Sequence, residues 1–188
     1  MTGTRHDPRP LIGEPLSIDL LNTRWNDAGV TRDLLDTVAG LTTWLDSPTV
    51  REALREHPVA HPDQAVLHHT RAARAAIAAV FDSPDDPAAV AALNEVLAHG
   101  RVRRRLGAAG PETSVEVDDP TRYVGWTAAA DYLRLLADRP TRIRPCANPA
   151  CILHFYDISK NGTRRWCSMS GCGNRAKASR HYARQPRP

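Results

Sequence analysis

Apolar positions along the chain fall mostly into short helical patterns set off by proline and by capping residues, with two places where the period shortens to two. The first is early: Leu16, Ile18 and Leu20 alternate with Ser17 and Asp19, which predicts a short strand over 15–21. Asn22-Thr23 breaks that pattern, either by hydrogen-bonding a local turn or by lining a ligand pocket. Thr37 then caps a helix that places Val38, Leu41, Trp44 and Leu45 on one face. Ser47-Pro48 opens a short second helix through Leu54, with proline at its first position. Pro62-Asp63 starts the longest, to about Phe81, with Val66, Leu67, Thr70, Ile77, Val80 and Phe81 facing inward. Asp86-Pro87 starts another, which buries Val90, Leu93, Val96 and Leu97 and stops at Gly100.

The period returns to two after Arg101. Val102–Leu106 and Thr113–Val117 flank a Gly-Ala-Ala-Gly-Pro turn and predict a β-hairpin. Across it Arg103 and Arg105 face Glu116 or Asp118, so this arginine cluster reads as a neutralised ladder before it reads as a nucleic-acid site. A last helix, from about Pro120 to Ala137, offers Val124, Ala128, Leu133 and Leu136 for packing, and Asp138-Arg139-Pro140 ends it as a linker. Residues 1–139 are therefore expected to form a mainly α domain with a small hairpin, and 140–188 a separate unit. The longest apolar run, Ala75–Phe81, has seven residues, far short of the ~20 a membrane span needs. A soluble cytoplasmic protein is expected.

All four cysteines lie in the second unit, as Cys146-Ala-Asn-Pro-Ala-Cys151 and Cys167-Ser-Met-Ser-Gly-Cys172, two C-x4-C pairs fifteen residues apart. Two short turns that each supply two thiolates suit tetrahedral zinc. A pair of disulfides and four unrelated buried thiols are the other readings. Disulfides require an oxidising compartment, and the polar, proline-broken stretch 1–10 does not resemble a secretory signal. Four cysteine ligands leave no open position on the ion, which is then structural. A segment this small cannot bury enough apolar surface to fold alone, so metal decides whether it has a structure.

Charge is divided as sharply as cysteine. From Arg139 onward eleven Lys and Arg stand against a single acid, Asp157, a net +10, whereas residues 1–138 carry a net −6. One sign concentrated in one segment attracts polyanions. Within the segment, Leu153–Asp157 and Arg164–Trp166 read as two strands joined through Asn161-Gly162. From Cys172 to about Arg184 the chain reads as a helix, with Cys172, Ala176, Ser179 and Ala183 along a narrow stripe and Lys177, Arg180, His181 and Arg184 on another face. Such a helix fits a phosphate backbone or a groove. Asn174 either caps the second cysteine turn or reads a base, and Arg175 either reads guanine or is held by Asp157.

Other candidate chemistry is sparse. His57, His61, His68 and His69 fall within thirteen residues, but no H-E-x-x-H pairing is present, and adjacent helical positions point about 100° apart. No nucleophile–base pair, phosphate-cradling loop or cofactor fingerprint stands out. An enzyme is not expected.

The run Arg164-Arg165-Trp166-Cys167-Ser168-Met169, followed by Cys172-Gly173-Asn174-Arg175-Ala176-Lys177, resembles the CGNR zinc finger, named for the four residues at 172–175. Phe155–Asn161 fits the same pattern. In that family the finger closes a chain whose front part is the ABATE domain of stress-induced transcription regulators, and Leu16–Thr23 resembles the opening motif of that domain. The resemblance implies one zinc ion on Cys146, Cys151, Cys167 and Cys172, and it suggests DNA. The expected architecture is a mainly α domain followed by a small treble-clef-like or ribbon-like finger ending in a helix. The expected function is a zinc-dependent, DNA-binding regulator that uses Arg164, Arg165, Arg175, Lys177, Arg180 and Arg184, with a front domain that senses a small-molecule effector or associates. The competing expectation is a module that docks an acidic protein.

Overall fold

The computed structural model describes residues 6–59 and 61–177. Its front half is helical: α1 (Leu16–Leu21), α2 (Val38–Leu45), α3 (Pro48–Ala53), α4 (Gln64–Asp82), α5 (Pro87–Ala98) and α6 (Tyr123–Asp138). Hairpin β1–β2 (Arg24–Asp27 and Val30–Asp33) sits between α1 and α2. Hairpin β3–β4 (Gly100–Gly107 and Gly110–Val117) sits between α5 and α6. α4 packs against α5 and α6, and α1 lies against α6 and α4.

The capping residues do what their types dictate. Thr37 accepts from the Gly40 N–H, Asp63 from Val66 and Asp86 from Ala88, each satisfying a donor that the first helical turn leaves free. Ser47 precedes its proline as expected but makes no cap bond; its hydroxyl donates to the Trp44 carbonyl instead. The β3–β4 ladder is neutralised as charge pairing requires. Arg101 and Arg103 share Glu116, and Arg105 takes Glu112.

The strand expected over 15–21 is a helix. All six residues of α1 are buried, so the polar alternate positions do not face water. Ser17 bonds the Asp131 carboxylate through both its N–H and its hydroxyl. The Asp19 carboxylate takes Arg9 at 2.5 Å, the Trp44 indole N–H at 2.9 Å and the Gly13 N–H at 2.9 Å. A buried charge is tolerable when it is paired and its lone pairs are filled. The inward face of α4 also carries an unexpected cation: Arg74 is buried and paired with Asp33 at 2.6 Å. On α5 only Leu93 and Ala89 are buried, while Val90 is exposed.

In the last part, β5 (Ile143–Pro145) pairs with β6 (His154–Tyr156) in an antiparallel ladder. The expected partner of β6, Arg164–Trp166, forms no strand among the described residues. The connecting loop folds around Asp157, whose carboxylate takes the N–H groups of Ser159 and Arg164 and so diverts the backbone from a ladder. One wide helical turn, Met169–Gly173, leads into helix at 174–177. The remainder of the helix expected to Arg184 lies outside the described residues.

The apolar interior forms two clusters. The main one gathers the front helices and also takes in Ile143, with Tyr156 against it. The second holds Leu153, Phe155 and three of the cysteines together with Trp25 of β1, and Leu11 and Leu34 pack on it. Front-half side chains therefore complete the core of the cysteine segment.

Candidate metal centre

Two turns aim the four sulfurs at one point. In the first, the Cys146 N–H donates to the Leu153 carbonyl and Cys151 donates to Asn148, while the Asn148 side chain accepts from Ala150. In the second, the Ser168 hydroxyl accepts from the Gly171 N–H at 3.1 Å and its carbonyl from Gly173 at 3.0 Å, so Ser168 caps the turn that carries Cys172. Ala147 donates to the Arg165 carbonyl and joins the two turns.

The four Sγ atoms all lie within 4.8 Å of one another. Cys151 and Cys167 are 3.8 Å apart, and Cys167 and Cys172 are 3.6 Å apart. A zinc–thiolate bond of about 2.3 Å gives a regular tetrahedron an edge of about 3.8 Å, so the sulfurs already stand at ligand spacing. Without a cation between them they cannot all ionise. The Cys167 hydrogen bond pulls Cys151 down to about 5, while that same contact and burial push Cys167 up, and burial pushes Cys146 up. A dication at the centre removes this conflict. A closed all-sulfur donor set of this shape fits one structural zinc ion and leaves no position for a water.

Donors outside the sulfurs hold their charge in place. The Cys167 N–H points at Cys146 Sγ (3.4 Å), and both Asn148 Nδ2 and Arg175 Nη2 lie 3.2 Å from Cys172 Sγ. Orienting contacts of this kind are half of a metal site's design. Arg175 therefore leans on a ligand and not on Asp157. Asp157 is fully buried and engaged elsewhere: Ser159 donates through N–H (2.9 Å) and hydroxyl (2.6 Å), and Arg142 and Arg144 lie within 3.8 Å. Burial works to raise its pKa, but these donors and cations hold it below the ordinary carboxylate value. Asn174 is exposed and reaches the Ser170 carbonyl at 3.4 Å, so Ser168 is the capping residue that sequence reasoning missed.

The expected cations separate into two groups. Arg165 is exposed, its guanidinium 5.4 Å from the Trp166 ring centroid, and Arg175 and Lys177 are also exposed. Arg164 is turned inward. It donates to the Trp166 carbonyl (3.1 Å), the Cys167 carbonyl (2.6 Å) and Glu14 (3.0 Å), and covers the Phe155 ring at 4.2 Å. Arg180 and Arg184 lie outside the described residues.

Several front-half side chains bind that half to this centre. Asn22 pairs with the backbone of His154, and Asn26 donates to the Ala150 carbonyl. Glu14 accepts from the Tyr156 N–H as well as from Arg164, although burial keeps its pKa above the ordinary value. Trp25 fills the second cluster. Thr23, the neighbour of Asn22, accepts from Arg74 and donates to Leu20. Neither Asn22 nor Thr23 is exposed to a pocket. The histidines converge on no metal geometry: among the described residues only the four cysteines do. No helix among the described residues is long and apolar enough to cross a membrane.

Comparison with known proteins agrees with this geometry. Residues 142–185 match the family described as "CGNR zinc finger". Residues 14–139 match the family ABATE, described as "Putative stress-induced transcription regulator". Neither is an enzyme family. No curated protein matches the chain.

Proposed function

The chain belongs to the ABATE family, and from that premise we propose that it is a zinc-dependent DNA-binding transcription regulator of the cytoplasm, without catalytic activity. The finger grips nucleic acid through Arg165, Arg175, Lys177, Arg180 and Arg184, and the front domain senses or associates. One observation carries this reading. Asp157, the single acid in the last fifty residues, is buried against arginines. The finger surface therefore presents cations with no compensating carboxylate of its own, as a phosphate-binding surface requires. Zinc folds the segment and so fixes where those cations stand.

The test is fluorescence anisotropy with zinc-loaded protein and a random-sequence duplex over a salt series. Five phosphate contacts give a slope of log K against log salt of about −4.5. No binding at 50 mM salt rejects the proposal.

The exposed Ile158 and Met169 on the same segment favour a second reading, docking to an acidic protein with an apolar patch. Recovery of one such protein after nuclease treatment, with no duplex binding, would select it.

A further inference from the structure

A second concavity lies away from the zinc centre. It is an open cleft of about 520 Å3 between the loop before α4, strand β4 and the start of α6, a volume suited to a small organic ligand. Val59, Val66, Val115 and Val117 give it apolar walls, and Tyr123 closes one side with the His57 ring packed on it at 4.9 Å. Three of those valines are only partly covered by the core, so apolar surface faces the cavity.

The polar groups around it narrow the chemistry. His57 and His61 keep hydrogen-bonding capacity in reserve, because neither imidazole makes a hydrogen bond or ion pair among the described residues. Asp63 and Glu116 also line the space, but their carboxylates are already engaged, by the Val66 N–H and by Arg101 and Arg103 respectively, so neither is left to pair with an ionic ligand, and an unpaired charge against the valine walls is costly. An uncharged ring with one hydroxyl satisfies both limits.

The cavity's position matters as much as its lining. α4 and α6 both begin at it and both end at the finger. Val66, near the start of α4, lines the cavity, and Phe81 at the other end meets the His154 ring edge-on at 4.4 Å. Tyr123 opens α6, and Asp138 at its end accepts from the Tyr156 hydroxyl at 2.9 Å. Between these ends the helices approach closely at Gly125, where a Cβ would meet the His69 carbonyl at 2.9 Å and the Ala73 Cβ at 3.0 Å. We propose that this cavity binds an uncharged, hydroxyl-bearing aromatic small molecule, and that α4 and α6 carry its occupancy to β6 of the finger. A ligand shifts such a coupled pair only through unequal affinity for two arrangements, and both helix starts are in direct reach of it.

The experiment titrates the zinc-loaded 188-residue protein, labelled at valine methyls and backbone amides, with 2-naphthol, followed by NMR. Saturable shifts are expected at Val59, Val66, Val115 and Val117, together with shifts at the His154 and Tyr156 amides. Naphthalene-2-sulfonate, with the same rings and a charge, is expected to bind at least ~10-fold more weakly. Val115→Trp, which fills the cavity from a half-buried strand position, should abolish the shifts at unchanged zinc content; if it does not fold, Val117→Phe replaces it. Absence of saturation, equal binding of the sulfonate, or undiminished binding in the filled variant overturns the site. Saturation with the finger amides unmoved overturns the coupling. No DNA is present, so the outcome is independent of what the finger grips.

Discussion

The Asn22 side chain pairs with the backbone of His154 as a neighbouring strand would. Its Nδ2 donates to the His154 carbonyl at 2.9 Å, and its Oδ1 accepts from the His154 N–H at 2.9 Å, across 132 residues of chain. Asn22 is fully buried, so truncation strands a backbone donor and acceptor where water does not replace the amide. Asn22→Ala is expected to cost about 1–3 kcal/mol and to lower the melting temperature of the zinc-loaded protein by roughly 2–10 °C. Calorimetry checks this; melting unchanged within a degree would mean that the pair contributes nothing.

Three residues on, Trp25 joins the front half to the zinc segment in a different way, by filling its core. Trp25→Ala removes the largest apolar side chain that this cluster borrows, at a cost of about 3–5 kcal/mol. Zinc binding and folding of the segment are one equilibrium, so the loss should appear as faster zinc transfer to a competing chelator. An isolated 140–188 fragment lacks Trp25, Leu11 and Leu34 and should release zinc faster still. Equal release from fragment and full chain would mean that the finger is self-sufficient.

The front helices could be read from the chain because their signals are local. Thr37, Asp63 and Asp86-Pro87 act within three residues of themselves, and distance elsewhere in the fold does not change that. The four cysteines could be read because their ligand chemistry restricts them to few arrangements. α1 could not, since Ser17 and Asp19 pass for a solvent face until Asp131, Arg9 and Trp44 supply their partners. The strand pairing of the finger failed for the same reason. Asn161-Gly162 does make a turn, with Gly162 at φ +61°, but the Asp157 carboxylate captures the returning backbone before a ladder forms. Buried polar residues with distant partners were the common source of error.

The β1–β2 turn carries a correctable strain. Ala28 sits at φ +48° and Gly29 at +85°, the left-handed pair of a two-residue hairpin turn, which favours Asn-Gly. An alanine there costs about 1–2 kcal/mol that asparagine largely avoids. Ala28→Asn should therefore stabilise the protein by about 1 kcal/mol and raise its melting point by ~2–4 °C. Thermal melts compare the two; a lower value for the variant would refute the strain.

His154 makes stability depend on pH. Burial holds its pKa below the ordinary 6.5 against the opposing charge of Asp82, and its Nδ1 is buried without a hydrogen-bond partner. The unfolded chain therefore takes up a proton near pH 6.5 that the folded chain refuses. Stability is full above 6.5 and falls as pH drops from there toward the folded pKa. Acid also strips zinc from thiolates, so the comparison is with His154→Phe, which keeps the ring against Phe81. Between pH 7.5 and 5.5 the variant's melting temperature should fall less than that of the parent protein. Parallel curves would assign the whole pH effect to the metal.

The arginines at 164 and 165 are neighbours in sequence and opposite in role. Arg165 is exposed, whereas Arg164 is committed to Glu14 and two carbonyls. Arg165→Gln and Lys177→Gln should each weaken duplex binding uniformly across sequences and reduce the magnitude of the salt slope by about 0.9. Arg164→Gln leaves the buried Glu14 carboxylate with only the Tyr156 N–H and Arg164's ring contact on Phe155 gone. It should lower the melting temperature and leave the slope unchanged wherever the protein is folded. Arg175→Gln falls between them, because its guanidinium also donates toward Cys172 Sγ: the slope should shrink and zinc should transfer to chelator faster. Anisotropy over a salt series, with melts and zinc release on the same preparations, separates the three patterns. A slope change in Arg164→Gln equal to that in Arg165→Gln would show that the inward arginine meets phosphate after all.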